Sequence, residues 1–409
     1  MILSNKSASF FTIIIFLFIA IFYFLHPLEN YNVDALHYNI LSFAAQYNGF
    51  KSIFFDESTP VHLLWHILNT GILFIFKPAN LWHSLLILRN INILIALTNI
   101  LITFFFFKFY FQNIFTAFYL ILLYAFANAN LLYFLNVEVY ALNCLALTIS
   151  FWLLFKYLRQ PSVFNIFIFS ISVFVCILTH LTNILYFISC ILFLVFDLRY
   201  YKKTSTKNFV IFLITIFFLS IICILLIALL RNTNLANAIN YIFNYRSKTN
   251  DYVSFDILNN IIDFVKIFPK IFIANYEYAI YIFILLIFIL NLKTLINLTF
   301  FLMREHLVLI IYVLINFLFF SQWDVQSNIK LKIIFILPSL LLFAKLFDKR
   351  NIVKIILFFL LFFFIFVNNY FYTIRIQMDI KNNEGYMKAL EIYNQNQNSE
   401  VILNNYKFE

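Results

Sequence analysis

Two carboxylates lie at places in this chain where a charge is costly, and both are candidates for proton transfer. Asp34 follows the first long apolar stretch by a few residues, and Glu138 lies between two strongly apolar stretches. Burial raises the pKa of a carboxyl group toward the range of a general base, and an ionisable group at membrane depth is a functional candidate. The structural alternatives are a solvated loop residue or helix cap for Asp34, and a helix-start carboxylate for Glu138.

Basic side chains and one histidine beside apolar stretches form a second group of candidates. Lys330 and Lys332 open a late apolar stretch, and Arg89 opens an early one. Cations at such positions suit the phosphate of a lipid, although snorkelling toward the headgroups is their ordinary structural role. His180 lies in the polar segment 179–183, which is compatible both with a site and with a structural turn.

A metal site is a further possibility. His62 and His66 are four residues apart, a spacing that would place both on one side of a helix and allow them to share a metal ion. No third ligand follows at a recognisable spacing, so two histidines that face polar neighbours at a membrane interface are the simpler interpretation. The spacing of His62 and His66 is therefore weak evidence for a metal ion.

The composition indicates that the elements which position these candidate residues are apolar helices. Of the 409 residues, 64% are hydrophobic and 11% are charged, and the mean hydropathy is +0.92. A water-soluble surface needs far more charge, which excludes a soluble domain. The net charge of +10 indicates membrane topology, and we predict no nucleic-acid partner. Because Phe and Asn are abundant throughout the sequence, single residues of these types are given little weight.

Repeated apolar runs of about 20 residues predict an all-α polytopic membrane protein with about 11 transmembrane helices. The block 163–196 is too long for one crossing, and the polar residues 179–183 are expected to divide it. All four cysteines fall inside apolar runs and are predicted to be small buried residues. The predicted spans are 9–26, 86–107, 113–134, 138–156, 163–180, 181–197, 209–230, 276–291, 306–321, 330–345 and 353–372.

The distribution of charge predicts which helix ends face the cytoplasm. With the N-terminus inside, short inside segments carry 14 of the 28 basic residues but only three of the 18 acidic ones. Asp34, Glu138 and His180 then share the non-cytoplasmic side, and we expect a bacterial cytoplasmic membrane. The outside segments are a long first loop with short amphipathic helices (27–85), a second large loop (232–275) and, after the last helix (346–372), a polar tail (373–409).

Four short motifs together resemble the GT-C superfamily of membrane glycosyltransferases, most closely its protein O-mannosyltransferase and aminoarabinose-transferase branch. The motifs are the segments 34–38, 138–142, 179–183 and 332–338, and their order and sidedness imply a GT-C-like transmembrane catalytic module over 1–345. Ala35 stands where many relatives carry a second acid, and Lys332 stands where arginine is usual. These two departures would also fit an inactive or unusual member.

The resemblance implies inverting transfer of a sugar from a polyprenyl-phosphate donor to an acceptor glycan, lipid or protein, within a layer of membrane lipids. Asp34 would be the catalytic base, and Glu138 would support the acceptor or the loop. The basic residues would stabilise charge on the departing lipid phosphate. A monophosphate donor requires no metal, so the resemblance implies no metal ion, and we predict no other cofactor. The implied substrate-binding residues are Tyr38, Arg89, Tyr140, His180, Lys330 and Lys332.

Two other functions fit a chain of this composition. A polysaccharide polymerase or ligase also has many spans and a large outside loop, and it would depend on Arg246 or His180 instead of Asp34. A lipid or solute transporter would be expected to show helices broken by Gly or Pro and charges at mid-membrane depth. The chain has only three glycines, and its candidate charges gather at one surface, which favours the transferase.

Overall fold

The computed structural model folds the chain into packed α-helices, and the residues that it describes contain no strand. These residues are 5–28, 33–55, 59–244, 257–276, 278–282, 285, 303–321, 332–345 and 352–375. The helices are α1 (Asn5–Leu25), α2 (Val33–Asn48), α3 (Leu63–Phe76), α4 (Leu81–Phe111), α5 (Ile114–Phe126), α6 (Asn128–Phe134), α7 (Tyr140–Arg159), α8 (Val163–Thr179), α9 (Ile184–Phe196), α10 (Thr206–Leu230), α11 (Leu235–Asn244), α12 (Ile257–Ile267), α13 (Arg304–Phe320), α14 (Ile336–Lys345) and α15 (Ile352–Asn369).

Several of these helices begin and end where the sequence supplies a cap. The side chains of Asn80, Ser162 and Ser205 accept hydrogen bonds of 2.9, 3.1 and 3.2 Å from backbone N–H groups at the starts of α4, α8 and α10. Lys77 and Gln112 follow α3 and α4 with φ of 46° and 53°, in the left-handed conformation that glycine usually takes. A residue other than glycine in that backbone conformation lowers the stability by about 1–2 kcal/mol.

Helix α7 lies at the centre of the bundle, between α4 and α8. Its most apolar segment is 67% buried, whereas that of α10 is only 17% buried and presents Phe217 and Leu229 to the surroundings. Inside the bundle, Asn99 of α4 donates a 2.9 Å hydrogen bond to the hydroxyl of Tyr124 and accepts one of 3.2 Å from Thr148 of α7. Apolar outward faces around a core that contains paired polar groups are typical of a membrane protein.

Five described helical segments are long and apolar enough to cross a membrane, and the pair α5 and α6 would make a sixth if it forms one broken span. These segments support a multi-pass membrane protein. The predicted count of 11 spans is higher than length and composition support among the described residues, and most of the predicted span 276–291 lies outside them. The five are Leu81–Phe111, Tyr140–Arg159, Leu181–Tyr201, Thr206–Leu230 and Ile356–Arg375.

The structure divides the predicted span 113–134 into two helices. Helices α5 and α6 meet at Ala127 with a bend of 60°. Side-chain amides satisfy the carbonyl groups that the break releases, since Asn130 donates to the carbonyl of Tyr124 (2.5 Å) and Asn369 of α15 donates to that of Phe126 (2.8 Å). Such satisfaction is what allows an interrupted helix inside an apolar bundle.

The structure confirms one predicted helix boundary and corrects another. The predicted division of 163–196 is confirmed, because α8 ends at Thr179, a 3₁₀ turn covers Leu181–Asn183, and α9 begins at Ile184. Helix α4 begins at Leu81 instead of near residue 86, so Arg89 lies in its third turn and not at its start.

The two ends of the bundle differ in character. One end holds residues 135–139 between α6 and α7, and we call it the link end. The opposite end, which we call the basic end, holds the end of α7 and the start of α13. There, Arg304 donates to both carboxylate oxygens of the fully buried Asp197 and to the carbonyl of Leu158 (2.5 Å), while Arg159 pairs with Glu305 at 3.3 Å.

Candidate functional site

The link end collects segments that lie far apart in the sequence. The backbone N–H of Leu28, just after α1, donates a 3.1 Å hydrogen bond to the carbonyl of Leu135, and the Tyr23 hydroxyl donates to the carbonyl of Ala125 at 2.6 Å. These bonds hold the end of α1 against α5 and against the link between α6 and α7. The predicted site residues that the structure describes are found around this link.

Glu138 lies within the link and is 1% exposed. The link is held from α4, where the Asn92 amide donates to the carbonyl groups of Tyr133 and Phe134, at 3.3 Å each, and to that of Asn136. The burial of Glu138 agrees with its place between two apolar stretches of the sequence. The link that carries Glu138 is held by Asn92, an asparagine that no feature of the sequence distinguishes.

Arg89 lies three residues before Asn92 on α4 and is 9% exposed. Residues three apart lie on one side of a helix, so Arg89 is on the side of α4 that faces the link. The structure thus places a buried guanidinium and a buried carboxylate in the same region. Burial of either charge is tolerated only where charges and hydrogen bonds compensate it.

His180 lies in the turn between α8 and α9 and is 3% exposed. Its Nδ1 accepts a hydrogen bond from the backbone N–H of Thr182 (3.3 Å) and lies 2.8 Å from the Thr182 hydroxyl. The turn is fastened to α7, because the Asn143 amide oxygen accepts from the Thr179 hydroxyl (3.1 Å) and from the Asn183 amide (2.6 Å). The position of His180 therefore depends on α7.

A row of four rings crosses the link end. The His62 and His180 rings are 4.5 Å apart, His180 and Tyr140 are 5.8 Å apart, and Tyr140 and Tyr133 are 5.3 Å apart. Tyr140, the first residue of α7, is 4% exposed. The row joins the start of α3, the turn after α8, the start of α7 and the end of α6.

The ring of His62 lies against His180, whereas the spacing in the sequence suggested His66 as its neighbour. His62 precedes the first residue of α3 and its ring lies against His180, whereas His66 is inside α3 and fully buried. Among the described residues, no group of three or more His, Cys, Asp or Glu side chains is arranged to hold a metal ion.

Lys332 is 1% exposed, and its ammonium lies 5.5 Å from the centre of the Phe264 ring of α12. The 3₁₀ turn that follows, Ile333–Phe335, packs against α7. The segment after α12 joins the link end through Asn128, whose amide donates to the carbonyl of Lys270 at 2.7 Å. The other predicted lysine, Lys330, lies outside the described residues.

Asp34 and Tyr38 belong to α2, and their side chains lie outside the described part of the structure. Their backbone follows Leu28, which is bonded to the link, and precedes Asn39. The Asn39 amide donates to the carbonyl of Leu81 (3.3 Å) and its oxygen accepts from Ser84 (2.8 Å), which packs α2 against the start of α4. Asp34 and Tyr38 thus lie in the chain between a residue bonded to the link and a residue that packs against the start of α4.

Sequence similarity adds nothing to this geometry. The chain matches no protein-family model and no curated protein sequence. The resemblance of four short motifs to membrane glycosyltransferases stays a prediction, and the site must be judged on its own chemistry. That chemistry consists of a buried carboxylate, imidazole and phenol groups and a buried ammonium at one end of a helical bundle.

Proposed function

We propose that this protein is an inverting glycosyltransferase that moves a sugar from a polyprenyl-phosphate donor to an acceptor hydroxyl at the link end. One observation carries the proposal. Glu138, Tyr140, His180 and Lys332, selected from three separate stretches of sequence, are all buried and lie on segments that pack together around α7. Polar groups that converge in an otherwise apolar bundle are expected to mark a substrate site.

Lys332 is assigned to the donor phosphate. A buried ammonium held over an aromatic ring is already desolvated, so its attraction for an anion is stronger than it would be in water. When the glycosidic bond breaks, its electron pair leaves with the lipid phosphate and negative charge grows there. Lys332 stabilises that charge, assisted by Lys330 and Arg89, and one preorganised group of this kind contributes about 3–4 kcal/mol.

The row of rings is assigned to the acceptor. Because Nδ1 of His180 accepts a hydrogen bond from a backbone N–H, the neutral ring carries its proton on Nε2. That N–H and the hydroxyl of Tyr140 are suited to orient the acceptor hydroxyl. Glu138 belongs to the link from which α7 and Tyr140 begin, and it is assigned to support the acceptor or the link.

Asp34 is assigned as the base. Its carboxylate takes the proton of the acceptor hydroxyl while that oxygen forms a bond to the anomeric carbon and the bond to phosphate breaks. Tyr38 is one turn further along α2, on the same side of the helix as Asp34, and contributes to the substrate site.

The proposed enzyme has the link end on the non-cytoplasmic side of a bacterial cytoplasmic membrane, with about 11 spans. The observation that favours this orientation is the opposite end, where Lys108, Lys156, Arg159 and Arg304 lie close to helix ends. Basic residues in short segments favour the cytoplasmic side. Tagging of each segment with a membrane-impermeant thiol reagent, in a variant without native cysteines, tests the orientation.

The decisive experiment uses the purified full-length chain in nanodiscs with a panel of polyprenyl-phosphate sugars and measures the release of polyprenyl phosphate. We expect release by the wild type and a loss of at least about 100-fold in Asp34→Asn. Asp263→Asn is the matched control, since Asp263 is a half-buried acid that pairs with Lys266 on α12 and should be dispensable. Full activity of a folded Asp34→Asn variant would exclude this mechanism.

The same variants separate the alternative functions. Loss of activity on replacement of His180 or Arg246, with Asp34→Asn unaffected, is the result expected of a polysaccharide polymerase or ligase. Movement of a labelled lipid or solute across a sealed vesicle without bond cleavage is the result expected of a transporter.

A further inference from the structure

A groove of about 550 Å³ lies between α4 and α7 toward the basic end, far along α7 from Tyr140. Its walls are apolar and include Phe109 of α4 and Trp152 and Leu153 of α7, with the rings of Phe109 and Trp152 6.2 Å apart. These side chains are half-buried, so the groove opens to the outside of the bundle. Its volume falls within the range of about 300–1,000 Å³ that is usual for small-molecule sites.

The lining of the groove changes from apolar to polar along one side of α7. Ile149, Trp152, Lys156 and Gln160 recur at intervals of three or four residues, which places them on a single stripe. The distance from Ile149 to Lys156 along the helix axis is about 10 Å. A molecule that fits this lining needs an apolar chain of at least this length and a polar head beside Lys156 and Gln160.

The charge at the polar end of the groove is positive. Lys156 is exposed, and within the described part of the chain no carboxylate pairs with it. The nearby Arg159 is partly compensated, since it pairs with Glu305 and donates to the carbonyl groups of Phe109 (2.9 Å) and Tyr110 (3.2 Å). The ammonium of Lys156 is therefore the charge that an incoming head group would meet first.

We propose that this groove binds one anionic phospholipid, with an acyl chain along Trp152 and Leu153 and the phosphate beside Lys156 and Gln160. Apolar walls that open sideways suit a membrane lipid, and the positive end selects an anionic head group. The site is separate from the proposed transferase site, because it lies toward the opposite end of α7. It is independent of the proposed reaction.

The intrinsic fluorescence of Trp152 provides the test. The full-length protein is reconstituted into phosphatidylcholine vesicles that contain increasing mole fractions of brominated phosphatidylglycerol or brominated phosphatidylcholine. Comparison with Trp152→Phe isolates the quenching of Trp152 from that of the other three tryptophans. We expect brominated phosphatidylglycerol to reach half-maximal quenching of Trp152 at a mole fraction about fivefold lower than brominated phosphatidylcholine.

Three variants at two lysines decide whether the site is specific. Lys156→Gln should remove the preference for the anionic lipid and Lys156→Arg should retain it. Lys108→Gln should leave it unchanged, because Lys108 is an exposed lysine at the same end that does not line the groove. Equal quenching by both lipids in the wild type, or equal losses in Lys156→Gln and Lys108→Gln, would overturn the proposal. Displacement by polyprenyl phosphate at lower mole fraction than by unlabelled phosphatidylglycerol would also overturn it.

Discussion

The imidazole ring of His62 lies 4.5 Å from that of His180, in an edge-to-face arrangement with an interplanar angle of 73°. The contact joins the start of α3 to the turn between α8 and α9. Because Nδ1 of His180 is engaged with the backbone of Thr182, this ring has two separable roles. Nδ1 holds the turn, and in the proposed reaction the N–H on Nε2 orients the acceptor hydroxyl.

Replacement of His180 by asparagine should separate these two roles. The amide oxygen of asparagine can take the place of Nδ1 and accept from the Thr182 N–H, whereas nothing replaces Nε2. We expect His180→Asn to retain its melting temperature but to lose about 10- to 100-fold in transferase turnover. Glutamine, whose amide nitrogen reaches further, should retain more turnover than asparagine. Equal turnover in wild type and His180→Asn would reduce His180 to a structural turn residue.

Asn92 and Asn99 provide a matched pair on one helix. Both are fully buried on α4, but Asn92 holds the link that carries Glu138, whereas Asn99 bonds to Tyr124 and Thr148 deeper in the bundle. Each alanine variant should lower the free energy of unfolding by about 1–3 kcal/mol. Only Asn92→Ala should also lower turnover, by about 10- to 100-fold, because the link is misplaced. Similar turnover in both variants, measured at equal folded fractions, would argue against a site at the link.

Lys332 should be needed for its charge. Methionine retains most of the length of the side chain without the ammonium, so Lys332→Met should lower kcat by about 100- to 1,000-fold. Lys332→Arg, which restores the residue type usual in the resembling family, should stay within about tenfold of the wild type. Lys266→Met is the control, since Lys266 is an exposed lysine on α12. A fully active Lys332→Met variant would remove this residue from the donor site.

The Asp197–Arg304 pair should stabilise the basic end without affecting turnover. Asp197 is fully buried and also accepts from the Thr204 N–H at 3.0 Å. Asp197→Ala should lower the free energy of unfolding by about 3–5 kcal/mol, because it leaves a partly buried guanidinium without its partner. Unfolding of Asp197→Ala, Arg304→Ala and the double variant in detergent should give a coupling energy of about 1–3 kcal/mol. Additive effects would show that the two side chains act independently.

The sequence was sufficient for features that interrupt an apolar pattern. The polar residues 179–183 inside a long apolar block predicted the turn after α8, and the carboxylate of Glu138 between apolar stretches predicted a buried charge. A polar group in an apolar run is costly wherever it lies, so its position in the sequence alone carries information.

Features that depend on distant partners could not be predicted. The break at Ala127 contains neither Gly nor Pro, and one of the groups that satisfies it, Asn369, comes from the last described helix. Asn92 and Asn143 fasten the link and the His180 turn, but asparagine is so frequent in this chain that none of them could be distinguished by composition. The neighbour of His62 could not be predicted either. Its spacing in the sequence suggested His66, but its ring contacts His180, which is distant in the sequence.

The hydrogen bonds of the Asn369 amide also bear on the order in which the helices pack together. It donates to the carbonyl of Phe126 at the break between α5 and α6, and to that of Phe272 after α12, at 2.8 and 2.7 Å. A growing chain inserts the break long before α15 is made, and an unsatisfied carbonyl in hydrocarbon costs several kcal/mol. The carbonyl groups of Phe126 and Phe272 therefore gain these hydrogen bonds only after α15 has been made and has packed against the earlier helices.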